Sequence, residues 1–182
     1  MHVLLVAAVA AHPTDGHDGG PDDAGSTAPA LAALWAQAAP HCVVEPLALP
    51  GDPPSAPRPP GEREPSTGVF VPTTALGLAS VPPAGPAPGE VLLAERAAEA
   101  DLVVVHTALL DSGALHDGPV AASARACAPH AVPVVVLAGR SAATRRELAA
   151  TGVAGAHAVG DPWQAQAVRR VARTWAPAWH GR

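Results

Sequence analysis

Two unbroken apolar runs, Leu102 to Val105 and Val132 to Leu137, flank an alanine-rich segment that Pro119 can open as a first-turn helix proline. Runs this short, with no polar alternation, suit strands buried on both faces. A helix between two such strands makes a right-handed parallel crossover, which commits the chain to an α/β sheet. Ligands of open parallel sheets lie beyond the carboxyl ends of the strands. Chemistry is therefore expected in the turn from His106 to Asp117, with His106, Thr107, His116 and Asp117 as candidate substrate contacts. Arg140, closing the next strand, is the candidate cation of that edge.

The rest of the chain repeats the alternation. Val3 to Val9 reads as a first strand, and Ser26 or Thr27 can cap a helix from Ala28 to Ala39, with Leu31, Leu34 and Trp35 on one face. A strand follows from Cys42 to Leu49. Val69 to Val71 suggests a short strand, Pro72 to Leu78 a helical turn, and Glu90 to Glu99 a helix that leads into the central strand. Later come a helix from Ala142 to Ala150 ended by Gly152, a strand from Val153 to Val159, and a helix from Trp163 to Trp175. Asp161 is expected to cap that last helix, with Pro162 at its first position and Trp175 facing inward. The pattern predicts one three-layer αβα domain over residues 1–182 with a mostly parallel, Rossmann-like sheet. Two proline-rich connections interrupt it, at 50–68, where seven prolines preclude helix and interior strand alike, and at 82–89.

Composition narrows the function. The formal charge is −5, and all 11 basic residues are arginine. Without lysine there is no Walker A loop, no Schiff-base lysine and no Ser-Lys mechanism. An acidic chain without clustered positive charge argues against nucleic acid as a partner. The apolar run at the start is too short to span a membrane and lacks a basic region before it, so it reads as a buried strand. Cys42 and Cys127 lie far apart in apolar stretches, which points to reduced thiols and a cytoplasmic setting.

The loop after the first strand, AHPTDGHDGGPDD, crowds His12, Asp15 and His17 with three further aspartates at the same sheet edge as His106. Imidazole and carboxylate together suit zinc or another divalent transition metal, although no established ligand spacing is present. Trp175 and Trp179 near the end offer either packing on the sheet or a partner surface.

Several stretches, in order, resemble the two-domain bacterial glycerate kinase family. ALAALWAQAAPHCVVEPLALPGD is similar to the family's first helix and second strand, and GVFVPTTALGLASVPP to its segment ending in A-L-G-L and a proline pair. GEVLLAERAAEADLVVVHTALLDSGALHDGPVAASARA resembles the stretch that holds the signature G-E-G-x-L-D-x-Q-x-x-x-G-K-x-P. AVPVVVLAGR, ELAATGVAGAHAVGD and QAVRRVARTWAP continue the likeness. In that signature Asp111 and Leu115 match, whereas His106, Thr107 and Ala108 replace G-E-G, and Asp117 and Gly118 replace G-K. The lysine-bearing opening motif and the glycine-rich, asparagine-containing loop have no counterpart, and the two proline-rich stretches stand where the second domain would be.

The resemblance implies ATP-dependent phosphorylation of D-glycerate, with Mg-ATP as cofactor and Asp111 in the catalytic region. The missing lysine and glycine loop imply an impaired or inactive kinase, because phosphoryl transfer rests on cations and backbone amides around the phosphates. The alternative is a non-catalytic module that binds a small organic acid or a nucleotide. Loss of a domain further implies a homo-oligomer or a protein partner covering the old interface.

Overall fold

The computed structural model describes residues 1–9, 27–50 and 87–177. Five strands form one all-parallel sheet in the order β2-β1-β3-β4-β5: β1 His2–Val9, β2 Val43–Pro50, β3 Leu102–Leu110, β4 Val134–Ser141 and β5 Val153–Ala158. Helix α1 (Thr27–Ala38) joins β1 to β2. Helix α2 (Pro88–Glu99) leads into β3, α3 (Ser112–His116) and α4 (Gly118–Cys127) join β3 to β4, α5 (Arg145–Ala150) joins β4 to β5, and α6 (Ala165–Trp175) closes the fold. The three-layer, Rossmann-like arrangement expected from the apolar runs is the one observed.

Alternation along the strands divides the core into two layers. On one face Val3, Leu5, Leu102, Val104, Val135 and Leu137 pack with Leu31 and Trp35 of α1 and Val168 and Val171 of α6. On the other, Leu4, Val6, Val103, Val105, Val134 and Val136 pack with Leu93 of α2 and Val120 and Cys127 of α4, with Leu148 of α5 at the margin. Both faces of the central strands are covered, which is why their sequences carry no polar alternation. Each of these fully buried valines and leucines contributes roughly 1.5–3 kcal/mol of transfer free energy.

The sheet edges are finished differently. Edge strand β2 carries Pro46 opposite Leu5 of β1, and a proline there withholds a donor from any further strand. At the other edge, β5 carries Gly155, where an added Cβ would lie 2.7 Å from Trp175 Cζ2. Trp175 therefore lies directly on the strand and donates from Nε1 to His157 Nε2 at 2.8 Å. At the amino edge Asp101 accepts from the backbone N of His2 at 2.6 Å, and Arg96 of α2 pairs with Glu45 of β2 at 3.4 Å.

Several boundaries correct the sequence expectations. Strand β3 runs on to Leu110 rather than ending at Val105, because β4 continues beside it and pairs Leu109 with Arg140 and Leu110 with Ser141. The expected open turn from His106 to Asp117 is thereby replaced by strand and by α3, which Asp111 caps. The proline-rich stretch at 82–89 ends inside a helix, since α2 begins at Pro88, a residue suited to a first turn. Helix α6 starts at Ala165 with Gln164 as its N-cap, so Asp161 does not cap it and Pro162 is not its first residue; the Asp161–Pro162 peptide is cis. The expected elements at 69–71 and 72–78, most of the connection at 50–68, and Trp179 lie outside the described residues.

Candidate functional site

Strands β1 and β3 are neighbours, yet the chain leaves β1 toward β2 and leaves β3 toward β4. A doubly wound sheet opens a crevice at such a reversal, beyond the carboxyl ends of the two strands. His106 sits there, in register with Ala7 of β1 and Leu137 of β4. Its parity along β3 is that of Leu102 and Val104, so its ring stands on the α1/α6 face. The ring is half-buried and makes no hydrogen bond to any described residue. Burial holds its pKa below the ordinary imidazole value, against an opposing pull from the charge of Asp161.

Gly139 brings that carboxylate near. It follows Leu137 on the same face of β4, and a Cβ there would meet Ala108 O at 2.6 Å and Asp161 Cβ at 3.0 Å. No side chain fits, so the segment after β5 folds in against the end of β3. A neutral imidazole on β3 and a carboxylate from beyond β5 thus share one face of the carboxyl edge. Together they offer a donor and acceptors to a hydroxyl-bearing ligand, and the carboxylate can stabilise the ring if it takes up a proton.

The other expected site residues are distributed around this edge rather than gathered in one pocket. Thr107 faces the α2/α4 layer, and its Oγ1 donates to Leu109 O at 2.9 Å. Asp111 caps α3, accepting from Ala114 N at 2.9 Å through Oδ1. Asp117 precedes α4 and accepts from Gly118 N at 2.9 Å. His116 borders a shallow groove on the outside of α3 and α4, with Leu115, Ala121, Arg125 and Thr151. Arg140 is exposed, has the parity of Val136 and Ala138, and forms no ion pair among the described residues. The metal candidates His12, Asp15 and His17 lie outside the described residues, and among those described no three His, Cys, Asp or Glu side chains are placed to hold a metal.

The sequence reading missed Asp161 as a site residue. An Asp-Pro pair before a helical pattern is an ordinary cap signal, but its position just after the last parallel strand also puts it at the carboxyl edge. Compared with known protein families, curated proteins and solved structures, the chain matches none.

Proposed function

We propose that this chain is a small-acid-binding domain of glycerate kinase-like descent that does not transfer phosphate on its own. The observation that carries the reading is the placement of His106 and Asp161 on the α1/α6 face of the reversal point, with Arg140 assigned by its parity to the opposite face. Arg145 and Arg146 belong to α5, which packs through Leu148 on that same opposite layer. Phosphoryl transfer needs cations around the phosphate on the side of the reacting hydroxyl, whereas the described residues offer that side an imidazole and a carboxylate. The order of motifs shared with the glycerate kinase family supports a small hydroxy acid as the ligand, and the absence of lysine supports loss of the transfer step.

Calorimetric titration of the purified chain with D-glycerate tests the binding, and mass spectrometry of a mixture with Mg-ATP and D-glycerate tests the transfer. The expected result is saturable binding, weakened about tenfold in His106→Gln and in Asp161→Asn, the effect of one lost hydrogen bond, with no phosphoglycerate formed. Absence of binding, or binding indifferent to both substitutions, overturns the reading. Phosphoglycerate made by the parent and lost in Asp111→Asn would instead establish a working kinase.

A further inference from the structure

Helix α6 carries an unbroken cationic stripe. Its buried side, Ala167, Val168, Val171 and Ala172, faces the sheet, so the helical period turns Gln166, Arg169, Arg170 and Arg173 outward together, around an open hollow. No carboxylate pairs with these three guanidinium groups among the described residues. Arg169 is held in place by donating to Gln37 Oε1 of α1 at 3.1 Å. In a chain of net charge −5 this concentration of positive charge in one turn is conspicuous.

The opposite outer layer carries its complement. Helix α2 buries Leu93 and Ala97, which turns Val91, Leu92, Glu95 and Glu99 outward on a single face. Val91 and Leu92 are 43% and 39% exposed. Neither Glu95 nor Glu99 has a cationic partner among the described residues, because Arg96 between them turns to Glu45 on β2. From Gln166 to Arg173 the α6 stripe spans roughly 10 Å and from Val91 to Glu99 the α2 stripe roughly 12 Å, with the arginines of the first and the carboxylates of the second each within about 6 Å. Arginine stems can cover apolar side chains while their heads pair with carboxylates, so the α6 stripe fits both halves of the α2 stripe.

The two stripes lie on opposite faces of the sheet, so one molecule cannot join them. We propose that copies of this chain associate front to back, the arginine stripe of α6 on one copy seated on the Val91 to Glu99 stripe of α2 on the next. The contact uses different surfaces on the two partners and is therefore heterologous, which produces open rows unless the rotation between copies closes a ring. It is independent of the small-acid reading and does not involve the carboxyl edge. The interaction is mainly between exposed charges, so it weakens as salt shortens the Debye length from about 14 Å at 0.05 M to about 4 Å at 0.5 M.

Sedimentation velocity of the full chain across micromolar concentrations tests the proposal. The parent is expected to sediment faster as concentration rises in about 0.05 M salt and to collapse to monomer in about 0.5 M salt. Two paired charge reversals, Arg170→Glu with Arg173→Glu and, separately, Glu95→Arg with Glu99→Arg, are each expected to weaken association by about tenfold or more with an unchanged far-ultraviolet dichroism spectrum. Mixing the two variants in equal amounts restores opposite charge at every contact between unlike copies, half of them native and half swapped, and association is expected to return. A parent that stays monomeric throughout, association insensitive to salt and to both reversals, or a mixture of folded variants that fails to associate would each overturn the proposal. Should a reversal disturb the fold, the corresponding glutamine substitutions take its place: each is expected to weaken association alone, and their mixture to form pairs through the one contact left native but no longer rows.

Discussion

Burial lowers the pKa of two histidines, and through them it couples folding to acid. His106 is held below the ordinary value of 6.5 by burial, with Asp161 opposing, and His157 by burial, with Arg170 acting in the same direction. His157 has a second reason to stay neutral, since its Nε2 accepts from Trp175 Nε1 and cannot carry a proton while that bond lasts. For both rings the unfolded chain takes up the proton first as pH falls below 6.5, so protons favour unfolding there. Their contribution is complete above that value and declines below it, toward the lowered pKa of each folded ring. The urea midpoint is expected to fall between about pH 7 and about pH 5.5, and to fall less in a variant carrying His106→Gln and His157→Gln. An equal fall in that variant would assign the acid sensitivity to other groups. Little of this was legible at the level of single residues. His106 could be placed at a strand end from its neighbours, but its exposure depends on α1 and α6, and Asp161 carries the same local signature whether it caps a helix or lines a site.

At the scale of elements, β3, β4 and the segment after β5 meet at a point where one missing Cβ determines the geometry. Gly139→Ala would set a methyl group 2.6 Å from the backbone oxygen of Ala108 on the neighbouring strand. The expected cost is about 1–3 kcal/mol, in the range of an overpacked core. Equilibrium denaturation should show it as a lower midpoint with an unchanged slope, together with weaker D-glycerate binding because Asp161 is displaced. Wild-type stability in this variant would mean that the segment after β5 is not pinned there. Most elements could be read from the sequence, since apolar runs mark the strands and the helices carry their own periodicity. The extension of β3 from His106 to Leu110 and the five-residue α3 could not. A strand is prolonged by hydrogen bonds to its neighbour, which are non-local, and a single helical turn is too short to show a period.

The whole molecule separates its two thiols. Cys42 packs against the α1/α6 layer and Cys127 lies within the α2/α4 layer, with the sheet between them. Both are free, and the sheet between them keeps them from pairing within one chain. Burial raises both pKa values, that of Cys127 to about 11, so little thiolate is present at neutral pH. A thiol-directed chromophoric reagent is expected to react slowly with Cys42 alone in the native protein and with both thiols after unfolding; rapid reaction of two equivalents in the native state would contradict the layer assignment. No described helix is long and apolar enough to cross a membrane, consistent with the short first run being a strand.

Residue order alone determined that this chain builds buried parallel strands covered on both faces, because its short apolar runs are rich in β-branched valine and alternate with helical segments. It also excluded lysine-dependent chemistry outright. The pairing order of the strands, and with it the neighbours of each carboxyl-edge residue, was settled only by tertiary packing. Alternation assigns His106 and Arg140 to opposite faces once the register is known, but register depends on which strands lie side by side, a matter of contacts between residues far apart in the chain. For that reason the sheet could be anticipated from local patterns, while the approach of Asp161 to the His106 face at Gly139 could not.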